Sequence, residues 1–195
     1  MKKRLTFIML AIVAIALSCG AQNHEKRMKQ IRQAYADRLE IMKNNPYAES
    51  GTPFNQVGVD VAENMPGSGL HERHDKYYFT QEQYSDRGDM ECTLYFATSN
   101  GTYAHGIHGY KWEFLWDSME GDPMFALLVR TEGAARKEYR FYFENGKVIK
   151  TVPDVKQWPD KDDLESLHPF IISKPADVLK LMKRHESTFK SLLGY

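Results

Sequence analysis

Tyr110-Lys-Trp-Glu-Phe-Leu-Trp-Asp117 decides the fold class of this chain. Tyr110, Trp112, Phe114 and Trp116 fall on one face, while Lys111, Glu113 and Asp117 point the other way and Leu115 is the exception. A period of two marks a strand with one face in the core. After the turn-like Met119-Glu-Gly-Asp-Pro123 comes Met124-Phe-Ala-Leu-Leu-Val-Arg130, apolar on both faces as a central strand is. Glu138-Tyr-Arg-Phe-Tyr-Phe-Glu144 then runs into Asn145-Gly146 and returns as Lys147-Val-Ile-Lys-Thr-Val152. Asn-Gly between two such runs predicts a type I′ hairpin, whose central residues both need positive φ. A two-residue turn sets the register, so Glu144 pairs with Lys147, Phe143 with Val148 and Tyr142 with Ile149.

Upstream, Gln56–Ala62, Asp75–Thr80 and Cys92–Thr98 read as further strands, with polar or Pro- and Gly-containing loops between them. Asn100-Gly101 predicts a second hairpin, leading into Thr102–Gly109. His24–Asn44 reads as an amphipathic helix with the stripe Met28, Ile31, Tyr35, Leu39 and Met42, stopped at Asn44-Asn45-Pro46. Pro175–Leu193 reads as a second helix, with Ser173 as its N-cap and the stripe Val178, Leu181, Met182, His185, Phe189 and Leu192. Pro153–Ser173, with three prolines, is a connection holding one helical turn near Asp162–Leu167. The expected architecture is a single α+β domain over 22–195. It is an antiparallel β-meander of about six or seven strands with the N- and C-terminal helices packed on one face.

At the start of the chain, Lys2-Lys3-Arg4 precede an apolar run from Phe7 to Leu17. That run is too short for a bilayer, which needs about 20 residues, and reads as a secretory signal peptide over 1–21. Two endings stand open. Ala16-Leu17-Ser18-Cys19-Gly20 is lipobox-like, with Cys19 as the lipidation site, although Ala16 stands where lipoboxes favour Leu. The other ending is cleavage after Ala21. The expected location is therefore exported: periplasm or outer membrane, with membrane contact only through the signal peptide or a lipid anchor on Cys19.

Removing Lys2, Lys3 and Arg4 from the 26 basic residues leaves 23, against 26 acidic ones. That balance is no footprint for nucleic acid, whose binders are basic. The remaining length of about 174 residues suits one domain with a real core. Once Cys19 is removed or acylated, Cys92 is left alone, so no intrachain disulfide forms; in its strand Cys92 reads as a small buried hydrophobe.

The order of parts resembles a group of uncharacterised exported proteins of Bacteroidota. The residues carrying the likeness are the signal segment, the helix around Lys29-Gln-Ile-Arg-Gln-Ala-Tyr-Ala36, the loop Met65-Pro-Gly-Ser-Gly69 and the aromatic strands. The resemblance implies an envelope location and an α+β fold. It implies no activity and no functional residues.

Candidate chemistry is sparse. His71/His74 and His105/His108 give two His-x-x-His spacings, and imidazoles are common ligands of zinc and copper. Residues three apart on a strand face opposite sides, so each pair converges only in a loop or helical turn. Neither is the His-Glu-x-x-His of a helical metalloprotease site. Asp160, Asp162, Asp163 and Glu165 lack the spacing and glycine of a calcium loop. No nucleophile elbow, phosphate loop or dinucleotide fingerprint occurs, so no cofactor and no catalytic residue is assigned. His185 reads as a packed histidine at the core edge, and Trp112, Phe114 and Trp116 as the core face of their strand. Tyr103, His105, His108 and Tyr110 are the candidate binding residues, with Tyr103 and His105 placed near the Asn100-Gly101 turn.

The sequence thus points to an exported envelope protein acting as a non-enzymatic binding or interaction module for an envelope protein or a small molecule. The alternative is a metal-dependent hydrolase or metal-binding protein built on His71/His74 and His105/His108.

Overall fold

Among the described residues, seven strands run in strict sequence order in one antiparallel sheet, each paired with its chain neighbours. In the computed structural model, residues 24–43, 55–65, 69–83, 90–103, 108–117, 121–154 and 174–194 are described. The strands are β1 (Asn55–Met65), β2 (Gly69–Gln83), β3 (Met90–Tyr103), β4 (His108–Trp116), β5 (Pro123–Glu132), β6 (Ala135–Glu144) and β7 (Lys147–Val152). Helix α1 covers 24–43 and helix α2 is Pro175–Leu193. Residues 1–23, which include the expected signal segment with Cys19, lie outside the described residues, as do His105 and most of the expected connection after Val152. No helix among the described residues is long and apolar enough to cross a membrane.

The Tyr110 stretch behaves as its alternation dictates. Trp112, Phe114 and Trp116 are buried on one face in a core shared with Tyr77 of β2 and Phe141 and Phe143 of β6. Helix α2 covers that face through Val178, Leu181, Met182 and Phe189, while Leu192 of its expected stripe stays exposed. Lys174, not Ser173, takes the N-cap position: its extended backbone leads into Pro175, and the Asp177 carboxylate accepts its N–H at 3.2 Å. Gly194, at φ 81°, closes the other end in the left-handed region.

The expectation that both helices pack on one face is not met. Ile31 of α1 is buried with Phe96, Leu115, Phe125 and Tyr142, which point to the side opposite Phe114. Leu115, the residue that broke the alternation, is part of this second core. Three register shifts explain why α1 packs where it does. They leave Tyr95, Met124 and Ile149 without a cross-strand partner, and all three add apolar surface to the α1 face. A bulge inserts one residue and bends the strand. Here the insertions gather at one end of the sheet, and α1 lies over that end.

The Asn145-Gly146 hairpin has positive φ at both turn residues, and Glu144 pairs with Lys147 and Phe143 with Val148 as expected. The bulge then shifts Tyr142 onto Lys150 in place of Ile149. The second expected hairpin is absent. Asn100 and Gly101 sit inside β3, paired with His74 and Arg73 on one side and with Lys111 and Tyr110 on the other. Gly101 serves a close approach: a Cβ added there would land on the Tyr110 ring. A strand glycine under an aromatic ring replaces the turn glycine that the dipeptide suggested.

Candidate functional site

The sheet end away from the bulges carries a different chemistry on its α1 face. Register places Glu72, Thr102, Gly109 and Thr131 in one cross-strand row, and His74, Asn100, Lys111 and Val129 in the next. These residues line a cleft of about 300 Å³, with no contribution from α1. Its floor is low because Gly109 has no side chain; the position where a Cβ would stand is only 2.7 Å from Thr131 Oγ1. Glu72, His74, Thr102 and Lys111 are exposed, and Asn100 is half-buried.

Two of the charged groups are held by neighbours. His74 Nδ1 lies 2.7 Å from Asp60 Oδ1 on the adjacent strand. When that nitrogen carries the proton, Asp60 fixes the tautomer and Nε2 becomes an acceptor. Lys111 Nζ pairs with Glu113, a carboxylate only 6% exposed. The Tyr35 hydroxyl of α1 donates to the other oxygen of Glu113. Burial and that carboxylate push the Tyr35 hydroxyl well above its ordinary range. The chain Lys111–Glu113–Tyr35 therefore joins the cleft to the helix that stops short of it.

Behind the cleft, on the α2 face, the same sheet end holds buried polar groups. Asp75 is 3% exposed, with Arg73 Nε 3.0 Å from its Oδ2. Burial raises the Asp75 carboxyl above its ordinary value, while Ser99 and Arg73 pull it down. Burial likewise pushes Tyr110 up to about 12. His185 of α2 lies with Nδ1 3.1 Å from the Tyr77 hydroxyl, and burial lowers its pKa to about 3, with Arg73 and Arg184 adding to the fall. This histidine is neutral and part of the core.

The residues singled out by sequence are spread by this geometry. Tyr110 is 6% exposed and turned to the α2 face, yet it borders the cleft. His108 is half-buried at the start of β4, opposite Tyr103 in register. His71 and His74 lie in one regular strand and so face opposite sides; they do not converge. His71 shares the α2 face with His108 instead, two strands apart. Among the described residues no group of three or more His, Cys, Asp or Glu side chains is placed to hold a metal ion. Cys92 is half-buried against the α2-side core.

Sequence reasoning missed Asp60, Glu72, Asn100, Thr102 and Lys111. Their one local signal is that polar residues alternate with apolar ones along β1 to β4, which every half-exposed strand shows. Comparison with protein-family models, curated proteins and solved structures finds no match.

Proposed function

We propose that this chain is an exported cell-envelope protein that works as a non-enzymatic binding module, and that its ligand seats on the polar end of the α1 face. The observation that supports this reading is the cleft itself, about 300 Å³ between Glu72, His74, Asn100 and Lys111, at the low end of small-molecule sites (about 300–1,000 Å³). Two of its polar side chains are already partnered, His74 by Asp60 and Lys111 by Glu113. Its accessible lining is mostly carbon with a few polar groups among it, a surface that suits seating a small ligand rather than activating a nucleophile. Of the other candidate binding residues, Tyr110 borders this cleft, while His108 belongs to the opposite face of the sheet. Export, with or without lipidation of Cys19, rests on the Lys2-Lys3-Arg4 and Phe7–Leu17 pattern and on the resemblance to exported Bacteroidota proteins.

The test is gentle purification of the full chain from its own envelope, followed by native mass spectrometry. A co-purifying mass on the wild type that is lost in Thr102→Trp, which fills the cleft from an exposed position, supports the reading. A chain recovered bare, or a mass retained equally by the variant, overturns it.

A further inference from the structure

A second cavity, of about 320 Å³, opens on the α1 face between α1 and strands β5 and β6. Its floor is aromatic and aliphatic. Tyr35 packs on Phe125 with ring centroids 4.9 Å apart, Phe125 on Tyr142 at 5.1 Å, and Leu127 is half-buried beside them. Its rim is cationic. Arg32 reaches in from α1, with Nε donating to the Tyr142 hydroxyl at 3.2 Å and the guanidinium 5.5 Å from the ring centre. Both contacts are to a neutral side chain, so they leave the guanidinium charge uncancelled. Arg140 enters from β6, and Glu138 is the single acid in the lining. That carboxylate is already shared, taking Arg140 at 3.1 Å and Arg136 at 2.8 Å.

Two arginines at the mouth and one shared acid leave an excess of positive charge above an apolar floor. Guanidinium groups present planar forks that match a carboxylate, and they bind it in pairs or bidentately. The aromatic floor removes apolar surface from water but offers a tail nothing to hydrogen-bond except the rim hydroxyls. The size is at the small end for ligand sites, which favours a short ligand over a long-chain lipid.

We infer that this cavity is a binding site for a small amphiphilic carboxylate, of the class of medium-chain fatty acids, with Arg32 and Arg140 holding the carboxylate and Phe125, Leu127 and Tyr142 receiving the tail. The site is distinct from the polar cleft, since the two share no lining residue, and it stands or falls without it.

The experiment is titration calorimetry of the full chain with decanoate, decanol and inorganic phosphate as probes. Decanoate is expected to bind, and decanol and phosphate at least about tenfold more weakly, since each lacks one half of the recognition. Arg32→Gln and Arg140→Gln, both at exposed positions that leave the core intact, are each expected to weaken decanoate about tenfold or more. Thr102→Trp in the polar cleft is expected to leave decanoate binding unchanged, which separates a failure here from a failure of the proposed function. Absence of decanoate binding, equal binding of decanol, or equal binding by the Arg32→Gln/Arg140→Gln double variant with an unchanged melting curve overturns the assignment.

Discussion

The two faces of the sheet are built from the same seven strands and differ in how much of each is apolar. The α2 face is a dense aromatic layer of Tyr77, Trp112, Phe114, Phe141 and Phe143, closed by Met182 and Phe189. The α1 face is apolar at the bulged end, where Tyr95, Met124 and Ile149 join Phe96, Leu115 and Phe125, and carries Glu72, His74, Asn100 and Lys111 at the other. Helix burial follows apolar area, at roughly 25 cal/mol per Å² removed from water, so α1 lies over the end of the sheet that carries that area. The α2 face is closed by its helix, whereas the α1 face has a buried core at one end and exposed strand side chains at the other.

The largest effect that separates the faces is a core truncation. Phe114→Ala is expected to cost about 3–5 kcal/mol in urea unfolding, because Phe114 is fully buried among the rings of Trp112, Trp116 and His185. Thr102→Ala on the open end is expected to stay within about 0.5 kcal/mol of the wild type. Equal losses in both would contradict the division of labour.

Acid acts on the α2 face next. The folded pKa of His185 is depressed from 6.5 to about 3, so its contribution is complete above pH 6.5 and is lost as pH falls toward 3. At pH 4.5, two units into that window, the loss is on the order of a few kcal/mol. Asp75 works in the opposite sense. Its folded pKa lies above 3.8, so its share of stability is present in acid and is lost as pH rises through the folded value. His185→Gln, which keeps a partner for the Tyr77 hydroxyl, is expected to flatten the decline between pH 6.5 and 4.5 in denaturant titrations at several pH values. A variant that still declines as steeply as the wild type would assign the acid sensitivity elsewhere.

A smaller effect probes the ring over the strand. Gly101→Ala places a methyl on the Tyr110 ring and is expected to cost about 1–3 kcal/mol by overpacking. In a double-mutant cycle with Tyr110→Ala, much of that cost should disappear, since the ring is what the methyl meets. Additive losses would mean that the glycine is needed for its backbone instead.

The smallest expected change is at the junction of helix and cleft. Tyr35→Phe removes the hydroxyl from buried Glu113 and should cost about 1 kcal/mol in thermal or urea unfolding, with Lys111 still paired to the carboxylate. No loss at all would mean that solvent replaces the hydroxyl freely.

Much of this architecture was legible in the sequence because alternation acts locally. The Tyr110 stretch, the Asn145-Gly146 turn and the stripe of α2 each carry their own signal. Leu115 and the doubly apolar Met124–Arg130 also signalled that both faces are covered, yet one strand cannot say which helix covers which face. The bulge residues were invisible because Tyr95, Met124 and Ile149 are ordinary strand formers, and only the partner strand reveals the shift. Asn100-Gly101 misled for a related reason: the residue that explains the glycine, Tyr110, is on the next strand. The clefts were illegible throughout, since Asp60 meets His74 and Arg32 meets Arg140's strand only after folding.

The most direct test of the two-face account is in-cell photocrosslinking from one site on each side. A photoreactive residue at Thr102, on the open end of the α1 face, is compared with one at Lys183, on the exposed side of α2. The account predicts a ligand or partner adduct from position 102 and none above background from position 183. Equal labelling from both, or labelling from 183 alone, would contradict the placement of recognition on the α1 face.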